Sequence, residues 1–333
     1  MTDETGVAAG ALVAVAEDRR DGAPEDRLAF SRRALLAAGL VSLVGGCSSE
    51  RPIVDRLVVA GGERGGFYLE FAQLLATQLT AAKVARTVEV RSTEGSLQNL
   101  ELLRVRQADL AICLADATAQ SRDVVALGRV YENYLQCVVR AAGPVRQLPD
   151  LAGKRISAGP PGAGAALTTN RLLNAAGMHA DRAPVVANLH LSDAADALAA
   201  GRIDAMFWSG GVPTRRLSDL SAQVPIRLLP LDRWLSTLRT TYGVVYQRAQ
   251  IPAGTYSGVE QVSTIGVPNL LICRPEVPGA VASKIVDVLV KHAAGLVPAA
   301  AVGAHYLDPN SLIGTGPLKL HPGAADRYRT LHG

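Results

Sequence analysis

The amino-acid sequence predicts an α/β protein with two lobes, each a mostly parallel sheet flanked by helices, around a ligand cleft. Strand and helix patterns alternate along the chain, and this alternation restarts after Asp150. Such alternation is typical of parallel sheets with helices on both faces. Glycine turns also stand where several helices begin, and in open sheets of this class ligands bind at that edge.

The bulk composition is that of a globular protein and argues against several functions. The chain has 333 residues, 48% hydrophobic and 19% charged, which is enough for about two domains. Only 4% of residues are aromatic and no long block of like charges occurs, so we expect no nucleic-acid partner. No segment approaches the ~20 apolar residues of a membrane-spanning helix.

The first 46 residues predict an export signal with a disordered start. Arg32 and Arg33 precede an apolar run at residues 34–46, which has the length of a signal-peptide core. The paired arginines resemble a twin-arginine signal, although ordinary secretory signals also carry arginines. The run ends in VGGC, which resembles a lipobox and predicts lipidation of Cys47, followed by a tether at residues 47–54. The alternative is an internal apolar helix with an incidental cysteine.

Hydrophobic periodicity places the elements in order. The first series has predicted strands at residues 56–60, 87–91, 108–115 and 134–140 and helices at residues 67–82 and 96–106. The second series has predicted strands at residues 155–158, 185–189 and 203–208 and helices at residues 165–176 and 193–200. A strand at 265–273 and a helix at 280–296 follow. Gly177 and Gly201 stand where the two second-series helices should end.

These elements predict how the lobes divide. The first lobe is expected at residues 55–138 and 265–333, and the second at residues 139–264. We expect a hinge near residues 137–142 and 262–268, because closure of two lobes is generally of the hinge type.

Three cysteines remain once Cys47 is lipidated. Cys113, Cys137 and Cys273 each lie in an apolar, strand-like run, which favours buried small hydrophobic residues. A Cys113–Cys137 disulfide is the alternative, and an odd count cannot pair fully.

Three turns predict an anion site in the cleft. Gly65-Gly66, the turn before Ser96, and Gly162-Ala163-Gly164 each precede a predicted helix. The start of a helix offers free backbone N–H groups and a positive dipole end, both of which favour an anion. Three such ends that face one cleft would suit a small negatively charged solute.

Catalytic and cofactor motifs are absent from the sequence. The glycines at residues 61–66 and 159–164 match neither the dinucleotide-binding spacing nor a phosphate-binding loop, and no nucleophile elbow occurs. The six histidines are scattered, without metal-ligand spacing. We therefore expect no cofactor, no metal and no enzymatic activity.

Several segments, in order, resemble one family, the TAXI solute-binding proteins of tripartite (TRAP) transporters. GGFY at residues 65–68 is similar to the family's GGTYY turn, and TEGSLQNL at residues 93–100 to its TGGSxxNL. The other similar segments are QADLA at 107–111, LPDLAGKRISAGPP at 148–161, SDAADAL at 192–198, GRIDA at 201–205, IPAGTY at 251–256 and HPGA at 321–324.

The resemblance implies a type II periplasmic-binding-protein fold whose lobes close on a small carboxylate or an amino acid such as glutamate. It implies an extracytoplasmic receptor, lipid-anchored, that delivers the solute to a TRAP permease. Two departures bear on the solute. The turn at residues 162–165 reads GAGA where the family commonly has GSGT, and Phe67 replaces a usual Thr. The missing hydroxyls and the added ring predict a more apolar pocket.

Position and resemblance together give the predicted ligand-binding residues. They are Gly65, Gly66, Phe67, Tyr68, Thr93, Gly95, Ser96, Asn99, Asp116, Gly162, Ala163, Gly164, Ala165 and Trp208.

Ser96, Asn99, Asp116 and Trp208 also have a structural interpretation. Ser96 could cap a helix with Asn99 at its third position. Asp116 could bind an ammonium or cap a helix, and Trp208 could stack on the solute or pack in the core.

The residues beside these positions also leave interpretations open. Arg64 could clamp a carboxylate, but a solvated pair with Glu63 is favoured. Tyr256 and His321 are interpreted as structural. At the level of function, the alternatives are a sensor for a membrane kinase, an enzyme on the same scaffold, and a structural lipoprotein with a collapsed cleft.

Overall fold

The structure, a computed structural model, describes residues 51–119, 121–298 and 307–332. The predicted signal segment at residues 1–46, and Cys47 with it, lie outside these ranges. Within them, no helix has the length and apolar character that crossing a bilayer requires.

One mixed sheet runs through the described part of the chain. Its strand order is β2-β1-β3-β10-β4-β7-β5-β6, with β8 paired to β4 and β9 to β10. The strands are β1 (Val54–Ala60), β2 (Ala85–Arg91), β3 (Leu110–Leu114), β4 (Val125–Arg140), β5 (Arg155–Ser157), β6 (Val185–Ala187), β7 (Ala205–Gly210), β8 (Ile226–Leu228), β9 (Gln247–Ile251) and β10 (Val262–Cys273).

Helices flank the sheet and bury one face each. They are α1 (Phe67–Ala81), α2 (Ser96–Arg104), α3 (Ala115–Thr118), α4 (Gly164–Ala175), α5 (Leu191–Ala199), α6 (Arg215–Gln223), α7 (Leu235–Tyr242), α8 (Gly279–Lys291), α9 (Pro309–Leu312) and α10 (Pro322–His332). In α1, Phe71, Leu75 and Leu79 are buried at the spacing of one helical face. Gly177 and Gly201 follow α4 and α5 with positive φ, as predicted for C-terminal stops.

Two parallel groups of strands are joined by two long strands. β1 is parallel to β2 and β3, and β5 is parallel to β6 and β7. Between the groups, β10 runs antiparallel to β3 and β4, and β4 runs antiparallel to β7. We call β1–β3 with α1, α2 and α8 the first lobe, and β5–β7 with α4, α5 and α6 the second lobe. The residue bounds expected for the lobes and the hinge stay predictions.

The long strand β4 differs most from the sequence expectation. A strand was predicted at residues 134–140, but β4 begins at Val125 and spans 16 residues. The earlier part contains Gly128, Arg129, Glu132 and Asn133, which interrupt the apolar pattern of a strand. Pairing with β10 along most of its length nevertheless holds this segment in the sheet.

The core lies on both faces of the sheet. All five residues of β3 are buried, as expected for a strand covered on both sides. Its alternate residues enter different clusters: Ala111 and Cys113 pack in one, Leu110 and Ile112 in the other. A third cluster lies in the second lobe around β7, α5 and α6.

The three described cysteines are free and buried. Cys113 in β3 and Cys137 in β4 are separated by β10 in the sheet, so they cannot pair, and the disulfide alternative is wrong. Burial raises the pKa of both thiols well above the ordinary value. The interpretation as small buried hydrophobic residues is confirmed.

Candidate functional site

A pocket lies where the starts of α1, α2 and α4 meet the end of β7. About 40 Å³ of it is accessible to the centre of a water molecule. The lining residues are Gly62, Glu63, Gly66, Phe67, Tyr68, Glu94, Gly95, Ser96, Leu114, Asn133, Ala163, Gly164, Ala165, Trp208, Ser209 and Gly210.

The structure brings most of the predicted site residues to this pocket. Those that line it are Gly66, Phe67, Tyr68, Gly95, Ser96, Ala163, Gly164, Ala165 and Trp208. Gly65, Thr93, Asn99, Asp116 and Gly162 do not line it. Helix starts from both lobes meet here because each follows the carboxyl end of a strand, and those ends share one edge of the sheet.

Two glycines allow the starts of α2 and α4 to lie against each other. Gly95, which precedes α2, has a φ of +128°, a conformation that side chains other than glycine rarely adopt. A Cβ on Gly164 would stand 2.6 Å from Ser96 Oγ and 2.7 Å from a methyl group of Leu114. Larger residues at these two positions would push the helix starts apart.

A chain of polar side chains forms one side of the pocket and crosses between the lobes. Tyr68 donates its hydroxyl hydrogen to Asn269 Oδ1, and Asn269 Nδ2 donates to Asn133 Oδ1 at 2.9 Å. Asn133 Nδ2 in turn donates to the carbonyl of Ser209 at 3.0 Å. Burial raises the pKa of Tyr68 well above its usual value, so its hydroxyl remains a donor at neutral pH.

Ser96 holds the strand β3 rather than capping α2. The cap position is Gly95, without a side-chain bond, so the capping interpretation of Ser96 is wrong. Its Oγ accepts a hydrogen bond from Leu114 N at 3.0 Å and lies 3.4 Å from the Tyr68 hydroxyl. The hydroxyl therefore fixes α2 against the end of β3 at the pocket wall.

Aromatic rings make the apolar wall. The ring of Phe67 lies 4.8 Å from that of Tyr131 in β4, and a Cβ on Gly211 would stand 2.7 Å from it. Trp208 is 8% exposed and donates from Nε1 to Thr214 Oγ1 at 3.0 Å. The first helix thus packs against the end of β7, and Phe67 lines the pocket; that the pocket is more apolar than in TAXI proteins stays a prediction.

Glu63 connects the first lobe to the start of α5 in the second. Its Oε2 accepts from Leu191 N at 3.0 Å and lies 3.2 Å from His190 Nδ1. The Glu63 side chain is 11% exposed, whereas that of His190 is 52% exposed. Burial raises the pKa of Glu63, against the opposing effects of Leu191 N–H and His190.

Glu94 makes a second connection, between α2 and the turn before α4. Its Oε2 accepts from Gly162 N at 2.8 Å, while Leu97 N and Gln98 N donate to the Gly162 carbonyl at 3.0 and 3.2 Å. Two N–H groups in the first turn of α2 are therefore not available to a ligand, because a carbonyl of the second lobe accepts them; that α2 helps to bind the solute stays a prediction. The N-cap positions of α1 and α4, Gly66 and Ala163, have no side-chain cap.

Thr93 and Asn99 support the turn from behind the pocket. The hydroxyl of Thr93 donates to Asn99 Oδ1 at 2.7 Å. Asn99 Nδ2 donates to the carbonyls of Gly61 and Ile112 at 2.6 and 2.8 Å. Asn99 is fully buried, so these two residues position the β1–α1 and α2 turns relative to each other.

Asp116 lies in a separate buried polar cluster. Its Oδ2 accepts from Thr168 Oγ1 at 2.8 Å and from the Tyr246 hydroxyl at 3.0 Å. Arg171 Nη1 lies 3.5 Å from the same oxygen and donates to the Asp116 carbonyl at 3.0 Å. Burial raises the pKa of Asp116 despite these partners. The cluster ties α3 to α4 across the lobes.

Arg64, Tyr256 and His321, which the sequence also singled out, do not line the pocket. Arg64 is exposed and lines a neighbouring groove. The Tyr256 hydroxyl donates to Gln136 Oε1 at 2.7 Å. His321 lies 2.9 Å from the Val277 carbonyl through Nε2 and accepts from Gly323 N through Nδ1. Among the described residues, no group of His, Cys, Asp and Glu could hold a metal ion.

Sequence reasoning missed the polar residues on the two long strands. Asn133 and Asn269 are 1% and 0% exposed, and Ser209 follows Trp208 at the pocket wall. A signal for Asn269 was present, because an Asn inside the apolar run VPNLLIC is buried only when its amide is satisfied. Asn133 gave no such signal, since its neighbours are polar or aromatic.

Comparison with known proteins agrees with this architecture. The profile of the NMT1-like family matches residues 59–330. The chain belongs to the NMT1-like family. That match covers all of the elements around the pocket, from the end of β1 to α10.

Solved structures give the fold of this NMT1-like protein. The periplasmic binding protein BugD is 15% identical, with a TM-score of 0.52 over 84% of this chain and 95% of its own. The fold is thus the two-lobed α/β fold of periplasmic binding proteins, as predicted.

Two further structures are similar at lower scores. XAC2383 from Xanthomonas citri, bound to a chloride ion, is 14% identical with a TM-score of 0.48 over 83% of this chain and 95% of its own. The aliphatic sulphonate binding protein SsuA from Escherichia coli is 16% identical with a TM-score of 0.44 over 83% of this chain and 78% of its own.

Proposed function

We propose that this protein is an extracytoplasmic, lipid-anchored solute receptor of the TAXI type, which delivers a small carboxylate or amino acid to a TRAP permease. The proposal depends on the pocket built by helix starts from both lobes. The segments that resemble TAXI proteins, residues 65–68 and 93–100, form two of those starts. BugD, a periplasmic binding protein, is of the same general kind.

The proposed receptor has a binding cycle with two states. About 40 Å³ of the pocket is accessible to a water centre, and four backbone or carboxylate contacts join the lobes at Glu63, Glu94 and Gly162. We expect these contacts to break and the lobes to separate when a solute enters. The lobes then close again on the solute, as in hinge closure generally.

Thermal unfolding against a panel of small acids and amino acids tests the receptor function. A solute at 100 times its Kd stabilises the folded state by about 2.7 kcal/mol, which raises the midpoint by several degrees. If no member of the panel raises the midpoint, the proposed solute class is wrong. Uptake into vesicles that contain a TRAP permease, with and without this protein, then tests the partner.

The lipid anchor has its own test in cells. The wild type should incorporate a labelled fatty acid and sediment with membranes, whereas Cys47→Ala should do neither. Equal labelling of both proteins would contradict lipidation at Cys47.

A further inference from the structure

The charges that line the pocket are unbalanced. Glu63 and Glu94 both line it, and none of its described lining residues is Lys, Arg or His. Glu63 and Glu94 also line the neighbouring groove, together with Arg64 and His190. In the pocket itself, a solute with only negative charge would lie beside two carboxylates and beside no cationic side chain among the described lining residues.

Several backbone donors that could bind an anion are already occupied. Leu191 N donates to Glu63, and Gly162 N donates to Glu94. Leu97 N and Gln98 N donate to the Gly162 carbonyl. The starts of α1 and α4 have no side-chain cap, and the positive end of a helix favours a carboxylate.

The aromatic wall stands next to one of the carboxylates. Glu63 Cγ and Trp208 Cη2 lie 3.6 and 3.4 Å from the position that a Cβ on Gly66 would occupy. Phe67 and Tyr68 line the same space. Aromatic faces beside carboxylates attract ammonium groups, and this attraction is stronger where water is excluded.

The raised pKa of Glu63 is also consistent with a site for a cationic group. Burial raises its pKa, and the charge of Glu94 raises it further. A cation placed beside Glu63 would lower that pKa again and favour its charged form.

We propose that the pocket selects its solute by an ammonium group, which Glu63 and Glu94 bind together with the aromatic wall. A carboxylate of the same solute, where it has one, binds at the starts of α1 and α4. This inference rests on the proposed function, since it names the solute class of the same pocket. It excludes simple mono- and dicarboxylates as the preferred solutes.

Pairs of solutes that differ only in an amino group test the inference. They are glycine and acetate, γ-aminobutyrate and butyrate, and glutamate and glutarate. Calorimetric titration of the wild type should give a Kd at least tenfold lower for the amine of each pair that binds. Ethanolamine, which has no carboxylate, should also bind more tightly than acetate.

Charge-removing variants locate the subsite. Glu63→Gln and Glu94→Gln keep an oxygen to accept from Leu191 N and Gly162 N but remove the charge. Each should raise the Kd of the best amine at least tenfold and reduce the difference within its pair. Glu70→Gln, on the exposed face of α1, is the matched control and should leave the Kd unchanged.

The results of these titrations distinguish a failure of the ammonium inference from a failure of the receptor function. If acids bind as tightly as their amino counterparts, the ammonium inference is wrong and the receptor function stands. Unchanged amine binding in both glutamine variants, with unaltered melting in the absence of solute, would also overturn it. If none of the seven compounds binds, both the inference and the proposed solute class are wrong.

Discussion

Glu63 and Asp116 are two buried carboxylates in contrasting surroundings. Burial raises the pKa of each. Asp116 is completely buried and has Arg171 at 3.5 Å with two hydroxyl donors. Glu63 has one backbone donor and a half-exposed histidine.

The difference separates a structural carboxylate from one in the candidate site. The charge of Asp116 is matched within the fold by a guanidinium, so the cluster serves to hold α3 against α4. Glu63 shares its pocket with Glu94 and with no lining cation among the described residues. A carboxylate that the fold leaves without a full counter-charge is the one expected to contact a ligand.

Replacing Asp116 tests its structural role with the largest expected effect. Asp116→Ala removes the carboxylate that pairs with Arg171 and accepts from Thr168 and Tyr246, and breaking such a buried pair costs about 3 kcal/mol of unfolding free energy. Urea unfolding measures the loss. Asp196→Ala removes the partner of Arg216 at an exposed site and should change stability by less than about 1 kcal/mol. Equal losses in the two variants would contradict the distinction between them.

Removing one hydroxyl from the same cluster should have an intermediate effect. Tyr246→Phe deletes the donor to Asp116 Oδ2 and the acceptor for Arg171 at 3.1 Å. Hydrogen bonds to charged groups contribute about 1.5–3 kcal/mol, so urea unfolding should show a loss of about 2 kcal/mol. Tyr242→Phe is the control, because Arg171 contacts the ring of Tyr242, which the variant keeps. A loss of unfolding free energy in Tyr242→Phe as large as that in Tyr246→Phe would contradict the role assigned to the Tyr246 hydroxyl.

Glu63→Gln should change the free energy of unfolding less than Asp116→Ala or Tyr246→Phe does. It should change the pH dependence of that free energy more. The folded-state pKa of Glu63 is raised above 4.5, so the folded protein takes up this proton before the unfolded chain does as pH falls. The wild type should therefore gain stability relative to Glu63→Gln as pH falls towards 4.5, and lose it as pH rises through the raised pKa. At neutral pH the variant should be more stable, by less than about 1 kcal/mol.

Urea midpoints of both proteins between pH 4.5 and 8 check this prediction. Taking the difference between them removes the contributions of Asp116 and Glu132, whose pKa values burial also raises. A difference that is constant with pH, or that grows in favour of the wild type as pH rises, would contradict the environment described for Glu63.

Local sequence signals predicted β1 to β7, β10, α1, α2, α4, α5 and α8, but not β8, β9, α3, α6, α7, α9 or α10. Glycine turns marked the starts of α1 and α4, and Gly177 and Gly201 marked the ends of α4 and α5, because these backbone conformations depend on the residue itself. The long strand β4 was only half predicted. Its first part is held in the sheet by β10, and pairing between distant segments leaves no local pattern.

The candidate site was predictable only where backbone position decides it. Gly66, Gly95 and Gly164 stand at helix starts, so the sequence placed them at the pocket. The roles of Asn99 and Asp116 could not be predicted, because the direction and partners of a side chain depend on elements far away in the chain. For Asp116 these partners come from residues 168, 171 and 246.

By itself, the sequence determined the order of most strands and of the longest helices, the turns before α1, α2 and α4, and the two-lobed class, since periodicity and glycine act over a few residues. Only the tertiary structure decided which backbone N–H groups face the pocket and which already donate to a carbonyl or carboxylate of the other lobe. The carbonyl of Gly162 accepts the N–H groups of α2, and Glu63 and Glu94 accept those of the second lobe. These bonds join residues 64 to 128 positions apart, so they exist only once the lobes meet.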